Sequence, residues 1–534
     1  MTNSDATIPV ITMTKVLGNL PYIYKFCHDL GLVQIVDELV PSARRSNDGP
    51  TNGELLAALV VNRLLCPRPL YQIDVWAQQT GFEFLIPGRA KVLNDDRLGR
   101  LLDTLDPHLE QIQETFVLHV MTTFQIDPKI IHYDITSLYF EGEYAEVDWI
   151  TLGYSRDNKP DRVQCNVALN TTDGEAFPAL WRHLPGNTND TKTVIQNLQQ
   201  LKKRFPKTKV LHIGDRAMFS KEIYEQALQW DLDILAPLKT LKVVQQVIEA
   251  LHPEDLEEVI HKKDRKTVAY RLGETSLQLD AKGRLPPLRA VIVWSAAQAQ
   301  AAANRQEQKI LRRRQALQEL QGKLNHPYYT QKKTIEQKLK RIMKSDPVND
   351  GFQINLQGTD GQLMLEVQEE PSVWKKALEH AGLYLIGTTL SPDEYSSIDV
   401  FRLYKRQYKV ERRIRTLKQT IKVRPLFVQR EERIRGLLFI SMLALSLYSL
   451  IEVILSRGGV VLTGRRFFQQ LSGMVLVQLR LPDQSLMFQI SPPSPAEQSL
   501  LTVLNWSEVP PWTLNRVNRW FRGLGPPTSA SFPP

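Results

Sequence analysis

The chain has 534 residues, 42% of them apolar and 23% charged, with a net charge of +9 and a pI near 9.2. That length allows two to four domains with at least one large core, and the composition excludes a fibrous, disordered or disulfide-stapled protein. The basic excess points to a polyanionic partner.

Three cysteines (Cys27, Cys66 and Cys165) lie far apart with no CxxC pair. This spacing predicts a reducing, cytoplasmic setting without a disulfide framework or zinc site. The start, MTNSDATIPVITMTK, lacks the cationic and apolar succession of a signal peptide.

Residues 1–127 read as an all-helical domain suited to DNA binding or to scaffolding. LPYIYKFCHDLG ends at Gly31, a C-cap residue, and TNGELLAALVVNRLLC opens with a capping box, Thr51 and Glu54. At Asp127-Pro128 the texture changes. KIIHYDITSLYF, RVQCNVALN and FPALWRHL read as three strands of an antiparallel meander, joined in part by the turn signal TTDGEA. An amphipathic helix, the strand TKVLHIGD, a second helix and the strand LDILAPL follow. The order βββαβαβ over 128–240 is that of an α/β, ribonuclease-H-like core built on a mixed sheet.

Residues 241–381 read as an inserted β/helical subdomain. Its long polar helices carry Arg312, Arg313, Arg314, Lys332, Lys333, Lys338, Lys340 and Arg341, a surface for non-specific DNA contact or for solvent. Residues 382–456 return to the core. They include the strand GLYLIGTT, the basic stretch YKRQYKVERRIRTLK and the apolar run GLLFISMLALSLYSLIEVIL. That run is nearly long enough to span a bilayer, but it holds Glu452 and several hydroxyls, so it reads as a buried helix and no membrane is expected. Residues 457–534 read as a mixed C-terminal region with a loose tail.

The chemistry rests on three acids. Asp134 lies inside the first core strand, where a charge is costly unless paired or metal-bound. Asp215 ends the strand TKVLHIGD, and ligand chemistry gathers at the carboxyl ends of such strands. Glu411 is one carboxylate among the cations Lys405, Arg406, Lys409, Arg412, Arg413, Arg415 and Lys418. Carboxylates brought together repel, so they stay ionised around divalent cations. Mg2+ takes oxygen ligands, and two ions about 3.5–4 Å apart clamp a phosphodiester. The cations around Glu411 then hold the DNA backbone. On one continuous helix Tyr404, Gln407 or Tyr408, Glu411, Arg415 and Lys418 fall on one stripe.

With these blocks in order, the chain resembles the insertion-sequence transposases of the Asp-Asp-Glu (DDE) class. It is similar to the branch marked by a Tyr-x2-Arg-x3-Glu-x6-Lys helix and an insertion before the glutamate. That signature reads Tyr404, Gln407, Glu411, Lys418, with Gln407 in the arginine position and Arg406 beside it. YDITSLYFEG, LGYSRDNKPDRVQCNVAL, LPGNTNDTKT and GDRAMFS also look like that family's blocks, so the resemblance covers roughly 130–240 and 382–450.

The resemblance implies Asp134, Asp215 and Glu411 as catalytic metal ligands for two Mg2+ ions, for which Mn2+ can substitute. It implies DNA contacts from Tyr404, Arg406, Gln407, Arg412, Arg415 and Lys418. The partners would be the element's terminal inverted repeats and target DNA, bound by a homodimer when synapsed. The chemistry would be strand cleavage by water and then transfer by the freed 3′-hydroxyl. A metal-dependent nuclease that does not join strands, and a catalytically silent DNA-binding derivative, are the rival readings.

Overall fold

The computed structural model describes residues 9–42, 49–87, 90–142, 144, 146–188, 190–239, 241–263, 266–280, 282–424 and 428–506. The expected loose tail at 525–534 lies outside them. The chain divides into two compact units, Met1–Ile213 with Arg406–Pro534, and Gly214–Lys405. Both borders fall inside the segments that the sequence assigns to the catalytic core.

The first unit opens with a strand, β1 (Val10–Val16), where the sequence reads as wholly helical. The β-branched alternation of VITMTKV is a strand signal, but its partner strand, Val475–Arg480, lies more than 450 residues on, beyond the reach of local pattern. Six helices follow: α1 (Leu20–Asp29), α2 (Leu32–Leu39), α3 (Asn52–Leu65), α4 (Ile73–Thr80), α5 (Asp95–Leu105) and α6 (Leu109–Thr123). Gly31 takes φ +70° between α1 and α2, a left-handed conformation glycine adopts without strain. The Thr51 hydroxyl accepts from Glu54 N–H at 3.1 Å, and the Glu54 carboxylate accepts from Thr51 N–H at 3.1 Å, completing the capping box of α3.

The core sheet of this unit comprises β2 (Ile130–Tyr139), β3 (Gln164–Thr172), β4 (Pro178–Pro185) and, after α7 (Asp190–Arg204), β5 (Leu211–Ile213). Its order is β4-β3-β2-β5. β2, β3 and β4 form an antiparallel meander, while β5 runs parallel to β2 with Ile213 opposite His132. Three antiparallel strands joined through a helix to a parallel one form the mixed, ribonuclease-H-like arrangement.

The second unit contains α8 (Lys221–Gln229), β6 (Asp233–Pro237), α9 (Lys242–Glu249), β7 (Glu257–Lys263), β8 (Lys266–Leu277) and β9 (Leu288–Ser295). α10 (Ala296–Lys323), α11 (Lys332–Ile342), β10 (Phe352–Thr359), β11 (Gln362–Glu369), α12 (Pro371–Leu378), β12 (Leu383–Thr388) and α13 (Ser397–Lys405) complete it. β6, β12, β9, β8 and β7 pair antiparallel in that order. β8 is a single strand where TVAYRL and TSLQLD read as two. α10 and α11 fold over the β10–β11 hairpin, with Leu317, Leu320 and Ile335 buried in small cores of their own.

The chain then returns to the first unit through α14 (Tyr408–Arg415), α15 (Glu431–Arg457), α16 (Gly464–Gln470), β13 (Val475–Arg480), β14 (Leu486–Ile490) and α17 (Pro495–Val503). α15 is the apolar run. It is long and apolar enough to cross a bilayer, but 89% of its apolar window is buried, against α3, α5 and β4 among others. It is the central helix of this unit, and each of its fully buried leucines contributes about 1.5–3 kcal/mol relative to exposure. The region after 457 is more structured than its sequence suggests, since β13 pairs with both β1 and β14.

Candidate active site

Asp134 stands in β2, a strand buried along its length except at its two ends and at Asp134 itself. Its carboxylate accepts the N–H of Ile135 at 2.8 Å. Side chains alternate along a strand, so His132, Asp134 and Thr136 share one face. His132 shows what covers that face. Its Nδ1 lies 3.1 Å from Oε1 of Gln407, and its Nε2 lies 2.9 Å from Oδ1 of Asp173. Gln407 is the residue before α14, and its Nε2 donates to the carbonyl of Tyr133 at 2.8 Å. Both ends of the carboxamide are therefore bonded to β2, one of them next to Asp134.

This clamp orients α14. Glu411 follows Gln407 by four residues, about 6 Å along the axis and on the same stripe. α14 packs on β2 and β3, and Glu411 is exposed. The first unit therefore holds Asp134 on the strand face that α14 covers, and Glu411 one turn from the residue pinning α14 there.

The cations of this stretch are mostly engaged within the unit. Arg406 donates to Asp173 Oδ2 at 2.6 Å, and Lys409 contacts both the carboxylate and the carbonyl of Asp173. Arg412 and Arg413 reach Glu452 at 3.4 and 2.5 Å. Arg413 also donates to the carbonyls of Ala176 and Glu175, and its side chain is 1% exposed. Lys418 donates to Asp157 at 2.6 Å. Arg415 is exposed and forms no ion pair among the described residues.

Burial pushes the Asp173 carboxyl up, but the hydrogen bond from His132 and the charges of Lys409 and Arg406 outweigh it. They hold the group well below the usual carboxylate range. Burial pulls the Arg413 guanidinium down, against the opposing charge of Glu452.

The single continuous stripe does not form. α13 ends at Lys405, a turn occupies Arg406–Gln407, and α14 begins at Tyr408. A π-helical turn then runs Thr416–Thr420, which displaces Lys418 from the ideal α-helical register. Tyr404 belongs to α13 in the second unit, with its ring 6.5 Å from that of Tyr384, and Lys405 lies 4.5 Å over the ring of Tyr270.

Asp215 belongs to the second unit. It is exposed, and its carbonyl accepts from Met218 in the short 3-10 turn Arg216–Met218. Among the described residues no group of three or more His, Cys, Asp or Glu side chains is gathered to hold a metal ion.

Sequence reasoning missed the acids that order the cations. Asp173 reads as a turn residue in TTDGEA, yet it joins His132, Arg406 and Lys409. Glu452 reads as an oddity of an apolar helix, yet it partners Arg412 and Arg413 and accepts from Gly464 N–H at 3.0 Å. A lone acid in a long apolar helix was the available signal, because a buried charge requires a partner.

A family model described as "Transposase DDE domain" matches residues 126–447, and one described as "Domain of unknown function (DUF4277)" matches residues 12–117. No curated protein matches the chain. Among solved structures, the piggyBac transposase synaptic complex with hairpin DNA is 10% identical with a TM-score of 0.41, covering 99% of this chain and 88% of that one. The Mos1 transposase paired-end complex with left transposon end is 10% identical with a TM-score of 0.15, covering 41% of this chain and 77% of that one.

Proposed function

Because the chain belongs to the transposase DDE-domain family, we propose that it binds the ends of an insertion sequence and catalyses metal-dependent strand cleavage and strand transfer. The observation that carries this reading is the clamp between α14 and β2. Gln407 bonds to Tyr133 and His132 on one side of Asp134 and leads directly into the helix of Glu411. Asp215 joins the set by the family resemblance and by its place in the sequence, two residues past the end of β5.

The donor set fits Mg2+. Asp134, Asp215 and Glu411 offer only carboxylate oxygens, the ligands of a hard divalent cation. These three residues would hold it, and when bound it supplies Lewis-acid activation of the attacking oxygen and neutralises charge at the phosphodiester. The chain's own contribution is positional. The Gln407 amide and the Asp173 cluster hold the helix of Glu411 against the strand of Asp134. Exposed Arg415 meets backbone phosphate, with Arg406, Arg412, Lys418 and Tyr404 as further contacts. Gln407, bonded at both ends, acts on β2. A homodimer would bring two such sites to paired ends.

Incubation with the element's terminal inverted repeats, Mg2+ and a plasmid target, followed by junction sequencing, tests the reading. Joined junctions are expected. Cleavage without joining would favour a nuclease, and binding without cleavage would favour a silent derivative.

A further inference from the structure

Lys418 is not directed at solvent. Its ammonium donates to Asp157 Oδ1 at 2.6 Å, and the two side chains are 15% and 17% exposed. On the other side of the same carboxylate stands Arg424, with NH1 3.4 Å from Oδ2. Arg424 is stacked on the ring of Tyr139 at 3.7 Å, which fixes its plane. Arg156, the neighbour of Asp157 in sequence, adds positive potential at Lys418 and is anchored to Asn166. Two cations thus share one acid, and a third acts on Lys418.

The fit of that acid is incomplete. Oδ2 of Asp157 and NH1 of Arg424 are both buried and face each other, yet neither makes a hydrogen bond. A planar carboxylate reaches Lys418 but leaves the guanidinium unmatched. A tetrahedral phosphate offers oxygens in more directions and matches an arginine fork and an ammonium together. Burial draws the Lys418 ammonium below its usual range, and Asp157 offsets this while Arg424 and Arg156 add to it. Asp157 lies in the connection between β2 and β3, YSRDNKPDR, beside Asn158 at φ +56°. Moving that carboxylate out breaks no strand pairing.

We propose that Lys418 and Arg424 form a phosphate-binding site which Asp157 occupies in the DNA-free protein, so that DNA engages it by exchanging a backbone phosphate for this carboxylate. The inference rests on the DNA-binding reading above and adds to it a built-in competitor. It also assigns Arg424 to the DNA face. A site closed by its own acid lowers the apparent affinity by the fraction of molecules in which it is open. Phosphates that bind weakly would therefore not displace Asp157.

Asp157→Asn keeps the shape and removes the charge. In filter binding or anisotropy with duplex DNA and no divalent metal, Asp157→Asn is expected to bind several-fold tighter than the native protein at low salt. Its salt dependence should be steeper by up to about one unit of slope. Adding Lys418→Met to Asp157→Asn should cancel the gain. A second arm uses inorganic phosphate as the probe and thermal unfolding as the readout. Phosphate should raise the melting temperature of Asp157→Asn more than that of the native protein, and the gain should vanish in the double variant.

Weaker or unchanged DNA binding by a folded Asp157→Asn would overturn the proposal and make Asp157 a support for Lys418. Phosphate stabilisation without any gain in DNA affinity would also overturn it, leaving an anion site unrelated to DNA. If the native protein and every variant bind no DNA, the DNA-binding reading itself falls, and the phosphate arm still reports whether the anion site exists.

Discussion

α14 with its flanking turns and the α10–α11 hairpin are both strongly basic, and they use their cations in opposite ways. Along α14 and its flanking turns most cations are paired with acids of the same unit. Arg406 and Lys409 converge on Asp173, Arg412 and Arg413 on Glu452, and Lys418 on Asp157. On the hairpin, Arg314 forms a two-pronged pair with Glu369 and Lys309 pairs with Asp346. Arg312, Lys333, Lys340 and Arg341 are exposed without an ion pair among the described residues. The difference follows from what each helix covers. α14 lies on strands with polar groups to satisfy, whereas α10 and α11 bury only leucine and isoleucine and leave Arg312, Lys333, Lys340 and Arg341 exposed. A run of cations in sequence therefore does not by itself mark a nucleic-acid face. The acids that neutralise it lie from about 40 to more than 200 residues away in sequence and decide how much charge is left.

The largest effects should come from the three carboxylates proposed as metal ligands. Asp134→Asn, Asp215→Asn and Glu411→Gln are each expected to reduce strand cleavage at least about 10³-fold while end binding persists. Substantial Mg2+-dependent cleavage by any one variant would remove that residue from the site.

Arg413 tests the inward-facing half of the comparison. Removing one partner of a buried pair leaves the other unpaired, so Arg413→Met should cost about 3–5 kcal/mol in urea unfolding. Arg312→Ala on the hairpin should change stability by less than about 0.5 kcal/mol. Equal costs would erase the distinction between the two helices.

Asp173 gives the same distinction a pH signature. Its folded-state pKa lies below its unfolded value, near 3.8. The stability it contributes is therefore fully present above that unfolded value and is lost as pH falls through the depressed one. Unfolding titrations should show the native protein losing stability steeply below about pH 4, where the unfolded carboxylate begins to take up protons. Asp173→Asn should be less stable at neutral pH and flatter in that acid range. Parallel profiles would mean the cations do not hold Asp173 ionised.

Neutralising Arg312, Lys333, Lys340 and Arg341 together should leave folding intact. It should flatten the salt dependence of DNA binding by roughly one unit for each phosphate the hairpin no longer engages. An unchanged slope would make the hairpin a solvated surface.

Much of this arrangement was legible in the sequence. The meander, the capping box at Thr51 and the buried nature of α15 follow from period and caps, which are local. Asp134 stood out because a charge in a β-branched strand needs an explanation. The long-range features were not legible. β1 finds β13 across most of the chain, and the break at Arg406–Gln407 divides what reads as one helix. The roles of Asp173, Glu452 and Asp157 depend on which strand and loop α14 meets. Gln407 is the clearest case. In sequence it reads as a missing arginine in a signature, while in the fold its two amide ends meet a carbonyl and an imidazole of β2.

Arg415 closes the comparison. It is the cation on α14 that most resembles those of the hairpin, exposed and without an ion pair among the described residues, yet it lies one turn beyond Glu411. Nothing in the first unit should miss it, so Arg415→Ala is expected to change stability by less than about 0.5 kcal/mol. If α14 meets DNA, the same change frees about one backbone phosphate and lowers the salt slope by about one unit. Lys409→Ala is the matched control, because Lys409 is committed to Asp173 and should lose stability first. A DNA-binding loss confined to Arg415→Ala would show that Arg415 serves the substrate while Lys409 holds the helix in place. A loss confined to Lys409→Ala would remove Arg415 from the DNA face.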